Sequence, residues 1–160
     1  MKRMLLVKTF LIFFIICFLS VVVSSCAEEQ IYDENVYKVK RVIDGDTILL
    51  SNEERVRLIG VNTPETVHPY KPVEYFGEEA SRFTKKMVEG KKVRLEFDWQ
   101  ERDRFGRLLA YVYLLDGTFL NAEIIKQGYG FAYTKYPFKY LDEFREYERE
   151  ARESKRGLWK

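Results

Sequence analysis

The sequence predicts an α+β domain in which five short strands close into a barrel and three helices pack on it. Three observations point there: stretches of alternating polarity bounded by turn residues, one helical stretch between the third and fourth of them, and two more helical stretches after the fifth. Residues 36–43 alternate Val36, Lys38, Lys40 against Tyr37, Val39, Arg41, which fits a strand ending at the Asp44-Gly45 turn. Residues 47–50 form a second strand, Asn52-Glu53-Glu54 a turn, and 55–61 a third strand. Residues 62–76 hold three prolines and no periodicity, so they read as a long loop of the functional kind. Residues 77–89 place Ala80, Phe83, Thr84, Met87 and Val88 at helical spacing, with Gly90 as the stop. Residues 91–97 alternate through Val93, Leu95 and Phe97 as the fourth strand, 102–106 turn, and 107–115 make the fifth. Helices follow at 119–127, stopped by Gly128, and at 140–154, with Leu141, Phe144, Glu148 and Ala151 on one stripe. Five strands with a helix between the third and fourth is the order of an OB-fold barrel.

The N-terminus belongs to something else. Lys2, Arg3 and Lys8 precede a nearly all-apolar run from Thr9 to Val23, the pattern of a secretory signal. The apolar core is shorter than the ~20 residues a membrane span wants. Val23-Ser24-Ser25-Cys26 resembles the lipobox of bacterial lipoproteins, which implies lipidation at Cys26, a membrane anchor and an extracytoplasmic location. Cleavage as an ordinary signal peptide near Ser25 or Ala27 is the alternative. The expected organisation is a signal over 1–25, a tether over 26–35 and a folded domain over 36–160.

Charge and cysteine narrow the function. The signal holds three of the 27 basic residues and no acidic ones, so the chain's net charge of +2 falls to −1 once it is removed. Bulk electrostatics therefore do not argue for nucleic acid, and any such case must rest on local constellations. The domain has no cysteine, which excludes disulfides and thiolate metal sites from it.

One constellation stands out. Asp46 begins a strand, Arg57 sits in the neighbouring one, Asn62, Thr63 and Glu65 lie just past its end, and Arg107 begins a later strand. Each alone reads as a turn or an edge charge. Together they offer oxygen donors for a hard cation, guanidinium forks for phosphoryl oxygens and a carboxylate to activate water. That is a kit for phosphodiester hydrolysis.

At these residues the chain resembles the staphylococcal nuclease family. The segments 42–47 (Val-Ile-Asp-Gly-Asp-Thr), 57–66 (Arg-Leu-Ile-Gly-Val-Asn-Thr-Pro-Glu-Thr), 83–88 (Phe-Thr-Lys-Lys-Met-Val) and 106–111 (Gly-Arg-Leu-Leu-Ala-Tyr) match its pattern in order. The resemblance covers about residues 36–159. It implies a calcium (Ca2+) site at the side chains of Asp46 and Asn62 and the carbonyl of Thr63. It makes Glu65 the base toward the attacking water, and Arg57 and Arg107 the phosphate-binding, transition-state-stabilising residues. Tyr133 falls near the bound nucleotide, with Lys71 and Tyr136 as neighbours in the substrate loops. The implied activity is hydrolysis of DNA and RNA to 3′-phosphate ends, by a monomer with no obligate protein partner.

Two positions depart from the pattern: Asn62 stands where the family has aspartate, and Phe105 where it often has tyrosine. His68, the chain's one histidine, reads as incidental, and Lys85-Lys86 and Lys91-Lys92 as solvated faces. The competing readings are a catalytically weak nucleic-acid-binding OB-fold lipoprotein, and a lipoprotein that binds a peptide or glycan on the same face.

Overall fold

The computed structural model describes residues 35–67, 70 and 72–160. The signal, Cys26, the tether up to residue 34, His68 and Lys71 lie outside the described residues. Strands β1 (Val36–Asp44), β2 (Thr47–Leu50), β3 (Arg55–Leu58), β5 (Lys92–Arg102) and β6 (Leu108–Leu114) form a closed barrel in the order β1-β2-β3-β6-β5. Pairing is antiparallel except between β3 and β6, which run parallel with Arg57 opposite Leu109. Closure leaves the barrel no free edge. Its interior is filled by residues such as Val39, Ile48, Leu50, Val56, Leu58 and Leu95, all essentially inaccessible.

Two features of the barrel depart from simple alternation, and both aim residues at one end. In β1 the register shifts between Val39 and Arg41 and again between Val42 and Asp44. The inward phase therefore passes from Val39 to Val42 and Asp44, leaving Arg41 exposed. Bulges re-aim side chains in this way.

The predicted third strand, 55–61, is also broken. Gly60 adopts φ +71°, which a β-carbon disfavours, and an added Cβ there would stand 2.6 Å from the Phe138 ring. The chain turns at this point. Val61–Asn62 becomes β4, pairing with β7 (Phe131–Ala132) in a separate two-stranded ribbon.

Helix α1 (Gly77–Val88) packs on β1, with its Thr84 hydroxyl donating to the Gly45 carbonyl at 2.6 Å. Just past its end, the Glu89 carboxylate accepts the Val42 N–H at 2.8 Å. Helix α2 (Leu120–Lys126) brings in Asn121, fully buried. Its amide donates to the Ile59 carbonyl at 2.9 Å and accepts the Val112 N–H at 2.9 Å, pinning the corner after β3. Helix α3 (Leu141–Glu153) buries Phe144 and Ala151, and its Glu148 accepts the Ala132 N–H at 2.8 Å. A 3₁₀ turn, Gly157–Trp159, follows it.

The loop after β7 is tied to β5 through Asp98. Its Oδ2 accepts the Tyr111 hydroxyl at 2.5 Å and the Lys139 N–H at 3.0 Å. Burial pushes the Asp98 carboxyl up, but these donors outweigh it and hold the group below its ordinary value. The same burial and pairing push the Tyr111 hydroxyl up. A lowered carboxyl stabilises the fold above its unfolded value near 3.8 and loses that contribution as pH falls through the folded one. Asp98→Asn is therefore expected to flatten the fall of unfolding free energy below about pH 4. Denaturant titrations at several pH values check this; a slope equal to wild type contradicts it.

Candidate active site

The turn between β1 and β2 carries the first site residue. Gly45 has no room for a side chain: a Cβ there would stand 2.6 Å from the Thr63 hydroxyl oxygen. That close approach seats Asp46, 6% exposed, against the start of the loop after β4. Its Oδ2 accepts the Thr63 N–H at 3.0 Å and pairs with Arg57 Nη1 at 2.8 Å. Its Oδ1 accepts the Thr47 hydroxyl at 2.9 Å. Arg57 reaches Asp46 because Thr47 and Arg57 are opposite in the β2–β3 ladder. Its Nη2 donates to Asn62 Oδ1 at 3.3 Å. Asp46, Arg57, Asn62 and Thr63 are thus gathered in one hydrogen-bonded group.

Glu65 stands beside this group, next to Asp44. Burial raises the Asp44 carboxyl above its ordinary value; the Thr66 hydroxyl, donating at 2.7 Å, works against this, and the neighbouring Glu65 carboxyl adds to the rise. The Glu65 backbone is clamped at both ends to Glu74: its N–H donates to Glu74 Oε2 at 3.0 Å, and its carbonyl accepts the Glu74 N–H at 3.0 Å. The Glu65 side chain accepts the Val67 N–H at 3.0 Å.

Arg107 is placed differently. Its Nε and Nη2 both lie 2.7 Å from Asp103 Oδ2 on its own turn, rather than on Asp46. Burial raises the Asp103 carboxyl, but the Arg107 guanidinium more than offsets it and holds the group below the usual carboxylate value. Arg57 and Leu109 are register partners in parallel strands, and Arg107 lies two residues before Leu109. A two-residue step keeps the same face, so both arginines emerge from the outer side of the barrel, about 8 Å apart at the backbone.

Tyr133 follows β7 and donates its N–H to the Gly60 carbonyl at 2.8 Å, which sets it next to the ribbon carrying Asn62. Tyr133 and Tyr136 are 39% and 58% exposed with ring centroids 6.2 Å apart. Tyr129, shortly before them in the chain, packs inward instead and stacks on Phe83 at 4.2 Å between ring centroids.

Sequence reasoning overlooked Asp44, Glu74 and Asp103 as partners of the site. Asp103 had a signal in its four-residue spacing to Arg107; Glu74, across a loop, had none.

The donor set suits a hard cation. The oxygens of Asp46, Asn62 and Thr63 match calcium's preference, and no sulfur or imidazole stands among them. Among the described residues no three His, Cys, Asp or Glu cluster to hold a metal, so these protein oxygens alone do not complete a cation site. Its remaining ligands would be water and substrate oxygens.

Comparison with known proteins shows the family. The family model for staphylococcal nuclease homologues matches residues 55–160, a span that contains Arg57, Asn62, Glu65 and Arg107. Thermonuclease of Staphylococcus hyicus is 45% identical over 131 residues, covering 79% of this chain and 77% of that protein. Thermonuclease of Staphylococcus intermedius is 46% identical over 127 residues, 77% and 75% of the two chains. Endonuclease YncB of Bacillus subtilis (strain 168) is 43% identical over 125 residues, 74% of this chain and 59% of its own length. By its fold, its matched residues and these relatives, the chain belongs to the staphylococcal nuclease family.

Proposed function

We propose that this nuclease is a calcium-dependent, sugar-nonspecific endonuclease that hydrolyses DNA and RNA to 3′-phosphate products. In the same proposal, a lipid on Cys26 tethers it to the outer side of a bacterial membrane. The observation that carries the catalytic reading is the hydrogen-bonded group of Asp46, Arg57, Asn62 and Thr63, with Glu65 beside it.

Asp46, Asn62 and the Thr63 carbonyl would hold the cation. When bound, it supplies Lewis-acid polarisation of a phosphoryl oxygen and a template for the substrate. The protein's own residues do the rest. Arg57, preset by its pair with Asp46, presents a fork to the non-bridging oxygens, where negative charge grows as water adds to phosphorus. Arg107 exchanges Asp103 for the phosphate, a second anionic partner within the sweep of its side chain. Glu65 takes a proton from the attacking water. The new P–O bond forms as the bond from phosphorus to the 5′-oxygen breaks; that oxygen takes a proton from solvent, and the phosphate stays on the 3′ side. Neither arginine nor Glu65 reads the sugar, which accounts for action on both nucleic acids.

The test is digestion of single- and double-stranded DNA and RNA with calcium and with chelator, followed by phosphatase treatment of 5′-labelled fragments. Calcium-dependent cleavage with phosphatase-sensitive 3′ ends is expected; chelator-resistant cleavage or 3′-hydroxyl ends contradict the proposal. For the anchor, metabolic labelling with palmitate is expected in the wild type and absent in Cys26→Ala.

Asn62 sets the affinity. An amide in place of a carboxylate removes a negative charge from the cation site, and charge count tunes calcium binding. Asn62→Asp is expected to bind calcium about tenfold more tightly, measured by calorimetric titration. Equal or weaker binding would remove this idea. The wild-type site then suits the millimolar calcium of extracellular modules.

A further inference from the structure

The barrel carries an aromatic surface that the catalytic group does not use. Between the pairs Phe97–Ala110 and Arg102–Leu108, four residues of β5 (98–101) face the single residue Leu109 of β6. A bulge of this size pushes its side chains out of the ladder. It lifts Trp99 to 69% exposure. The ring is nonetheless fixed: its Nε1–H donates to the Pro137 carbonyl at 3.2 Å, and the Trp99 N–H donates to Asp98 Oδ1 at 2.8 Å. With its polar atom bonded to protein, the indole offers solvent only an apolar face.

The position of that face matters. Leu109, opposite the bulge, has Arg57 as its partner on the other side. Trp99 therefore lies in the bulge facing Leu109, on the second strand over from Arg57 in the barrel order β3-β6-β5. The carbonyl it binds follows Tyr136, whose exposed ring lies 6.2 Å from that of Tyr133. Lys135 Nζ stands 5.6 Å from the Tyr136 ring, a cation available to a phosphate of the same strand. Exposed rings beside a basic group are the means by which proteins hold unpaired nucleic acid, since every base has a stackable face and a duplex hides it.

We infer that Trp99, locked to the 133–139 loop, is a base-stacking subsite a nucleotide or two along the strand from the scissile phosphate, and that it favours unpaired over paired substrate. The inference rests on the nuclease reading, because nucleic acid is its occupant.

The chain has two tryptophans, so Trp159→Phe leaves Trp99 as the sole indole reporter. That protein, carrying Glu65→Gln and kept in chelator, is titrated with a short oligodeoxythymidylate, with an abasic strand of equal length and with a duplex. Quenching by the oligodeoxythymidylate and little by the other two is expected. By anisotropy of a labelled oligonucleotide, Trp99→Ala should bind ~10- to 100-fold more weakly and Trp99→Phe nearly as well as wild type. Equal quenching by the abasic strand, or undiminished binding by Trp99→Ala, overturns the subsite. So does a Trp99→Phe defect as large as that of Trp99→Ala, which would assign Trp99 to anchoring the loop. Separately, hydrolysis by the wild-type chain with calcium is followed. Its absence alongside Trp99-dependent binding would sink the nuclease reading alone; its presence without such binding would sink the subsite alone.

Discussion

Glu65→Gln is expected to lower the rate of phosphodiester cleavage by about 10²–10⁴-fold while leaving the fold and the proposed calcium binding in place. The substitution keeps size and hydrogen-bonding shape but removes the ability to accept a proton from water. Fold and loop should survive because the loop is held by backbone groups of Glu65: its N–H and carbonyl engage Glu74, and neither depends on the side chain's charge. A glutamine can still accept the Val67 N–H that Glu65 Oε1 accepts at 3.0 Å. Single-turnover kinetics with saturating substrate isolates the chemical step. A rate within a few-fold of wild type would show that another group activates water.

Arg57→Ala is expected to have two effects with different calcium dependence. In the proposed mechanism the guanidinium stabilises the transition state, so cleavage should fall by about 10²–10³-fold. It also neutralises Asp46, and the pair is largely buried, with side chains 16% and 8% exposed. Removing one partner leaves a buried carboxylate short of its counter-charge, at a cost of about 3 kcal/mol in metal-free protein. The Thr63 N–H and Thr47 hydroxyl remain on Asp46, which keeps the cost from being larger. In the proposed site calcium supplies positive charge at the same carboxylate, so thermal unfolding of Arg57→Ala should recover much of the lost stability in millimolar calcium while activity does not recover. Arg57→Lys should keep most of the stability and little of the activity, because an ammonium pairs with Asp46 but has no planar fork. Equal destabilisation of Arg57→Ala with and without calcium would mean that Asp46 is not the cation's ligand.

What the chain reveals before its structure is known follows from how local each feature is. The barrel strands and the three helices are legible because each buries one face, and periods of 2 and 3.6 are written in adjacent residues. The break in the third strand was not, since a run from Arg55 to Val61 looks continuous until Gly60 meets Phe138 and Phe144, which arrive from far along the sequence. The two-residue strands of the ribbon are too short to show a period.

Most of the hydrogen-bonded group of Asp46, Arg57, Asn62 and Thr63 was legible. Asp46 sits in the turn leading into β2, Arg57 on the neighbouring strand β3, and Asn62 and Thr63 follow directly, so little chain separates them. Glu74's hold on Glu65 closes a loop with no periodic signature, and the bulge exposing Trp99 depends on how β5 and β6 are registered. Features of that kind are set by the packed structure, not by any stretch of ten residues.

Calcium held by the oxygens of Asp46, Asn62 and Thr63, where Arg57 and Glu65 act, is the proposal on which the mechanism depends. Its most direct test is the cleavage rate of a labelled single-stranded oligonucleotide as a function of calcium concentration, for wild type and Asp46→Ala. The expected wild-type rate is negligible in chelator and saturates with calcium; Asp46→Ala should need far more calcium or fail at any concentration. Identical calcium curves for the two proteins, or full activity of either in chelator, would contradict the account.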